Sequence, residues 1–147
     1  MKVDFRQMNE SDIEETIKLC NLCFDENTNF EDALNVYKKN AIDKTCFYIV
    51  GCTEDKKIIA HVRLQFIETM YASMRGYAIL NHVCVHPNYR RHKIGTELLT
   101  YVSNICRQKN IAEMKLWSNN YRVSSHALYK SFGFDPVDAT FYTKKIN

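Results

Sequence analysis

The 147 residues hold only four glycines and two prolines, too few for a collagen-like chain or one built on flexible linkers. No apolar run approaches the roughly 18 residues that a membrane helix needs. The opening residues, Met1-Lys2-Val3-Asp4-Phe5-Arg6, lack the apolar stretch of a secretory signal. Neither sign of charge dominates. A net charge of +3 is too small to mark a nucleic-acid partner, and the one dense basic run, Arg90-Arg91-His92-Lys93, has a single aromatic beside it, Tyr89. What is present is 46% apolar and 25% charged residues, enough to bury a core at the size of one domain. The expectation is a single cytoplasmic domain over residues 1–147, with neither a membrane nor a nucleic acid as partner.

Cysteine is the one unusual abundance. Cys20 and Cys23 form a lone C-x-x-C with no second pair and no histidine at finger spacing behind it, so no metal site is expected. Both fall in a helical apolar pattern with Ile13, Ile17 and Phe24, where cysteine packs as a small core residue. Cys46, Cys52, Cys84 and Cys106 are scattered and read as reduced core thiols.

The pattern predicts a short strand over residues 3–7, N-cap chemistry at Asn9, Ser11 and Asp12, and a helix carrying Ile13, Ile17 and Cys20. After a polar break over 24–29, Phe30, Ala33, Leu34 and Tyr37 suggest a second helix, and residues 46–50 a strand. In the next strand Ala60, Val62, Leu64 and Phe66 alternate with His61, Arg63 and Gln65, predicting one buried face and one wet face. Residues 69–76 read as a loop and 77–85 as a strand covered on both faces. Ile94, Leu98, Val102 and Ile105 mark an amphipathic helix. A strand over 114–117, a helix over 123–131 and two small strands within 134–144 complete a mixed sheet flanked by helices.

The chemistry concentrates in Val83-Cys84-Val85-His86-Pro87-Asn88-Tyr89-Arg90-Arg91-His92-Lys93-Ile94-Gly95-Thr96. A strand stops at Pro87 and a helix opens near Ile94, whose first turn presents unpaired N–H groups and a partial positive charge. Loop amides and the cationic side chains would add to a phosphate or pyrophosphate site, and Gly95 lets the backbone approach a ligand closely. The same residues also describe a plain strand–loop–helix connection with solvated charges. The segment contains neither the P-loop pattern nor the dinucleotide fingerprint.

This segment resembles the coenzyme A signature of the GNAT N-acetyltransferase superfamily, with Arg90, Ile94 and Gly95 matching and Lys93 standing where that signature has its first glycine. Asn119, Arg122, Ser125-His126, Tyr129 and Gly133-Phe134 resemble the family's later block at the same spacing. Residues 1–40 match only in element order, and the stretch from Leu64-Gln65-Phe66 onward is most similar to aminoalkylphosphonate acetyltransferase-like members. The resemblance implies an α/β (α+β) fold with a central mixed, mostly antiparallel, twisted sheet of six to seven strands and about four helices. It implies transfer of an acetyl group from acetyl-CoA, as co-substrate, to a primary amine by direct attack in a ternary complex.

On that resemblance the backbone of Val83, Cys84 and Val85 would pair with the pantetheine arm. The segment Arg90, Arg91, His92, Lys93, Ile94, Gly95 and Thr96 would hold the pyrophosphate. An N–H near Val83 would polarise the thioester carbonyl. Asn119 and Ser125 would touch the arm, and Tyr129 would give a proton to the departing thiolate. The base is open. Relatives place it where this chain has Ile79 or Asn81, neither of which is basic; Asn81 could orient a water, and Glu68 is another candidate. His82 is of a residue type that can serve as a base, but strand alternation points it to the opposite face unless a bulge intervenes.

Lys93 could either pair with a coenzyme A phosphate or crowd the cradle. Asp25, Glu26, Glu31 and Asp32 would favour a cationic small-molecule amine, whereas Arg63 and Arg75 would suit an aminoalkylphosphonate. A protein or peptide amine, or a catalytically silent coenzyme A-binding module, are the alternatives. Phe134, Phe141 and Tyr142 could serve a homodimer or the core.

Overall fold

The computed structural model describes residues 1–72 and 74–147, in two compact units, Met1–Trp117 and Ser118–Asn147. The first unit is built on a five-stranded sheet in the order β1 (Asp4–Gln7), β2 (Cys46–Cys52), β3 (Ile58–Ile67), β4 (Tyr77–Val85) and β5 (Glu113–Lys115). Neighbours are antiparallel except β4 and β5, which run parallel. The parallel pair follows from the helix that joins them, since a parallel return needs a long crossover.

Helices α1 (Ile13–Phe24) and α2 (Phe30–Asn40) precede β2, and α3 (Ile94–Gln108) joins β4 to β5. Before α1, Asn9 and Asp12 form a reciprocal capping box in which the Asp12 carboxylate accepts the Asn9 N–H at 2.9 Å. Arg6 grips the same carboxylate through both guanidinium nitrogens, at 2.6 and 2.9 Å, and holds it below the usual carboxylate range. This ties the start of α1 to β1.

Each face of the sheet buries a different helix. On one, Ile13, Leu19 and Cys20 of α1 meet Val50, Cys52, Ile58 and Cys84, with Tyr37 and Leu34 of α2 at the margin. Ile94, Leu98, Leu99, Val102 and Cys106 of α3 are buried, and α3 packs against β3 and β4. Removing each such aliphatic side chain from water contributes about 1.5–3 kcal/mol.

The expected alternation of β3 holds with one exception. Val62 and Leu64 are fully buried, and Arg63 and Gln65 are half-buried, but His61 is buried too. It sits opposite Val50 and Cys84, both in the α1 core, so the wet face is dry at this end. Its Nδ1 lies 2.9 Å from the Ile49 carbonyl, and burial pushes its pKa down to about 4.

The β3–β4 loop ends at Gly76, φ +74°, where a Cβ would come within 2.3 Å of the Ile67 carbonyl oxygen, so no other residue fits. Five of the six cysteines are buried, as packing predicts, and Cys23 is half-buried. Among the described residues no helix is long and apolar enough to cross a membrane.

The second unit holds α4 (Val123–Phe132), closed by Gly133 in a left-handed conformation. The two small strands expected within 134–144 are absent among the described residues, so the sheet has five strands rather than six or seven. Strand propensity needs a paired edge to become a strand. Here Phe134 packs instead on Tyr129, and Val137, Phe141, Tyr142 and Ile146 are exposed.

Candidate functional site

The register of β3 and β4 breaks in the middle. Arg63 faces Asn81 and His61 faces Cys84, so His82 and Val83 together oppose the single residue Val62. That is a β-bulge. Its first residue, His82, has φ +54°, a conformation that costs a side chain about 1–2 kcal/mol relative to ordinary strand geometry. The bulge supplies the exception that strand alternation had reserved for His82. Its ring is turned to the α1 side, where Nε2 lies 3.1 Å from both oxygens of Glu26 and the ring meets Phe24 edge-on at 4.7 Å. Two consecutive polar residues, Asn81-His82, inside an otherwise apolar strand are the sequence signal for it.

Asn81 has its side-chain oxygen engaged by Arg63 Nη1 at 3.2 Å, and Arg63 also donates to Gln65 Oε1 at 3.0 Å. Gln65 in turn donates to Thr45 at 2.8 Å, and Arg63 lies over the Tyr48 ring. Because arginine only donates, Asn81 points its NH₂ away from Arg63, where it can hold a water oxygen or a substrate acceptor. Arg75 is turned elsewhere, towards the carbonyls of Asn110 and Ile111. Glu68 follows the end of β3 and is exposed.

Beyond Ile79, β4 loses its other neighbour. β5 pairs only with Tyr77, Ala78 and Ile79, which leaves the edge of Leu80–Val85 with no strand partner among the described residues. Unpaired strand edges accept extended groups by main-chain hydrogen bonding. Val83 and Val85 lie on this stretch half-buried. The Cys84 side chain is buried against Cys20 and Cys23, whose thiols, together with burial, push its own pKa well up, so only its main chain is available there.

The chain then turns through Pro87–Tyr89, capped by His86 Nδ1 on the Asn88 N–H at 3.1 Å. Arg90 folds back, its Nε donating to the Val85 carbonyl at 3.1 Å, and so fastens the loop to the end of β4. Arg91 and Lys93 both adopt positive φ, +67° and +62°. Lys93 is the N-cap of α3 and makes no side-chain cap, so the first-turn amides of Ile94, Gly95 and Thr96 stay open to a ligand. Arg91, His92, Lys93 and Thr96 are exposed around them. Lys93 therefore departs from glycine at a left-handed position, and its first consequence is conformational cost rather than crowding.

In the second unit the carbonyl of Asn119 accepts from His126 Nε2 at 2.9 Å and from the Arg122 amide at 3.1 Å, which fixes the loop before α4. His126 is thus a positioning residue that the sequence reading left without a role. Ser125 lies in the first turn of α4, and Tyr129 is buried one turn on, its ring edge-on to Phe134 at 5.8 Å. Gly133 ends α4 at φ +110° and returns Phe134 to that contact, which explains the Gly133-Phe134 pair physically.

Comparison with known proteins gives one family. The model of the acetyltransferase (GNAT) family matches residues 12–134. Among solved structures, the chain is similar to an aminoglycoside antibiotic 6'-N-acetyltransferase from Acinetobacter baumannii, 20% identical with TM-score 0.82, covering 99% of each chain. It is similar to a glucosamine-6-phosphate N-acetyltransferase from Arabidopsis thaliana, 14% identical with TM-score 0.81, covering 98% of this chain and 99% of that one. A transcriptional regulator from Bacillus halodurans is 17% identical with TM-score 0.89, covering 98% and 100%. At these identities the likeness is one of fold. No curated protein matches by sequence.

Proposed function

This chain belongs to the acetyltransferase (GNAT) family, and from that membership we propose that it moves the acetyl group of acetyl-CoA to a primary amine of a small molecule by direct attack in a ternary complex. The observation that carries the reading is the junction at the end of β4, where an unpaired strand edge runs into an uncapped helix N-terminus within a dozen residues. The edge suits an extended amide-bearing arm, and the helix start suits a pyrophosphate. In the proposal Val83 and Val85 bond the arm through their main chain, the amides of residues 91–96 take the pyrophosphate, and the Val83 N–H polarises the thioester carbonyl. Asn119 and Ser125 contact the arm.

Tyr129 is the proposed acid. Its support is its position in the motif together with a ring held by Phe134. A phenol positioned on the departing sulfur contributes about 10²-fold. Tyr129→Phe keeps the ring and removes the proton, so turnover should fall by about that factor while the melting temperature stays within a few degrees. Full turnover in this variant would remove the acid role.

Among acceptors, the observations favour an amine whose remaining groups accept hydrogen bonds. The Arg63 guanidinium and the Asn81 NH₂ lie on the same face of β3 and β4 and only donate. A hydroxylated amine meets that description, and so does an aminoalkylphosphonate, although Arg75, the second cation that a phosphonate would use, is committed to carbonyls. The test is calorimetric titration with acetyl-CoA, then release of free coenzyme A thiol against aminosugars, aminoalkylphosphonates, alkyl diamines and lysine peptides. Binding with turnover of one small-amine class is the expected result. Turnover of peptides alone would move the reading to a protein substrate, and failure to bind acetyl-CoA would end it.

A further inference from the structure

The family requires that an ammonium lose a proton before its nitrogen attacks, and residues 79 and 81, Ile and Asn, offer no base. We propose that His82 takes this proton through Nδ1 and that Glu26, on the connection between α1 and α2, is the residue that positions it. The inference rests on the acetyltransferase reading above.

The tautomer follows from the contact. Glu26 presents two carboxylate oxygens, each 3.1 Å from His82 Nε2, and a carboxylate only accepts hydrogen bonds. In the neutral ring Nε2 therefore carries the proton and Nδ1 the lone pair. Nδ1 takes no hydrogen bond among the described residues, and the Phe24 ring, edge-on at 4.7 Å, sets the plane of the imidazole. A carboxylate on the far nitrogen of a histidine holds one tautomer and stabilises the imidazolium that forms when the near nitrogen takes a proton.

Nothing local requires this arrangement. Glu26 and His82 are 56 residues apart and meet because the bulge turns one while Asp25, left-handed at φ +51°, ends α1 and aims the other. Both side chains remain partly exposed, His82 43% and Glu26 38%, so a proton can leave to water.

The other titratable and charged neighbours do not compete. His61 of β3 acts electrostatically on His82 from below, but it is buried with Nδ1 on the Ile49 carbonyl and its pKa is near 4, so it is neutral through the working range. Cys84 on the same strand is a buried thiol. Arg63 is paired with Asn81 and Gln65.

Nδ1 takes one proton from R–NH₃⁺, and the N–H pair becomes the amine lone pair. That pair bonds the thioester carbonyl carbon while the C–S bond breaks and its electrons leave on sulfur. The second nitrogen proton is lost as the amide forms, the sulfur is protonated, and His82 returns its own proton to water. Acetyl-CoA and an ammonium thus become an acetamide, coenzyme A thiol and one proton.

The experiment uses a primary amine with a pKa near 8 that the full-length protein turns over, with kcat/KM measured from pH 7 to about pH 9, below the ordinary range in which a phenol such as Tyr129 ionises. His82→Ala is expected to lose about 100-fold at pH 7 and Glu26→Gln about 10-fold. Both losses should shrink to within about threefold where the amine is already neutral, because a free amine needs no base. The KM for acetyl-CoA should stay within about twofold in Glu26→Gln. A loss that is the same at every pH overturns the proposal, because it marks a structural defect.

Long-range ¹H–¹⁵N spectra of the imidazole give a readout independent of turnover. The expected wild-type form is the Nε2–H tautomer, relaxing to a mixture in Glu26→Gln; an Nδ1–H wild type overturns the assignment. A wild type that binds acetyl-CoA and acetylates no amine overturns the parent reading and the proton-acceptor role with it, whereas the spectra still decide the pairing.

Discussion

The bulge inside β4 and the loop that follows the strand work in opposite ways. At its C-terminal end, residues 86–96 present main-chain amides, and their contacts are short-range: His86 caps Asn88, Arg90 returns to Val85, and Lys93 opens α3. At the bulge, the working groups are side chains brought together from distant segments: Phe24 at the end of α1 and Glu26 just after it, His61 from β3, and Asn81 and His82 from β4. A main-chain cradle tolerates changes of side chain as long as its backbone can be formed. A side-chain cluster depends on every element that carries it, and it inherits the stability of the core beneath.

The largest test of that contrast is acid. His61 sits fully buried below the bulge with a pKa near 4 against an ordinary value of 6.5. Below pH 6.5 the unfolded chain binds a proton that the folded one refuses, so its contribution is present above 6.5 and is lost as pH falls through 4. The loss amounts to about 3 kcal/mol. Thermal melts of the wild type should therefore steepen between pH 6.5 and 4, and His61→Gln, which cannot titrate, should flatten that limb. Parallel curves for the two proteins would show that His61 is not buried as described.

Smaller effects belong to the cradle. Arg90→Ala removes the guanidinium bond to the Val85 carbonyl and should cost about 1 kcal/mol of stability, as one hydrogen bond does. The KM for acetyl-CoA should move less than about threefold if, as proposed, the amides and not this side chain meet the ligand. A tenfold rise in KM at unchanged stability would mean that Arg90 contacts the donor directly.

Lys93→Gly should act with the opposite sign. Relief of a left-handed lysine should stabilise the fold by about 0.5–1 kcal/mol, with donor affinity held or improved. Tenfold weaker binding in a calorimeter would instead assign the ammonium to a coenzyme A phosphate. Together the two variants measure how far the cradle is main chain alone.

Legibility in the sequence divided along the same line. The strand–loop–helix of residues 83–96 could be placed because a strand stop at Pro87, a basic loop and an amphipathic period are local signals. Asn9 and Asp12 announced the cap before α1. The dry environment of His61 could not be read, because alternation says which face a residue takes and not which helix covers that face. The missing strands after Phe134 failed for a related reason: their residues have strand propensity, but propensity does not say whether a segment pairs with an edge. The bulge left a faint trace in Asn81-His82, but the partner it would select, Glu26, had only the look of one acidic residue among several.

The sequence by itself determined the elements up to the end of α4, their order, the cationic loop and the amphipathic α3, since each depends on periodicity and on residues a few positions apart. The tertiary structure alone decided that β5 leaves β4 after Ile79, that His82 turns back across the strand, and that its ring meets Glu26. Those are facts of register and packing. They depend on how far each strand pairs with its neighbour, which is set by the joint fit of segments remote in the chain and by no residue's own preference.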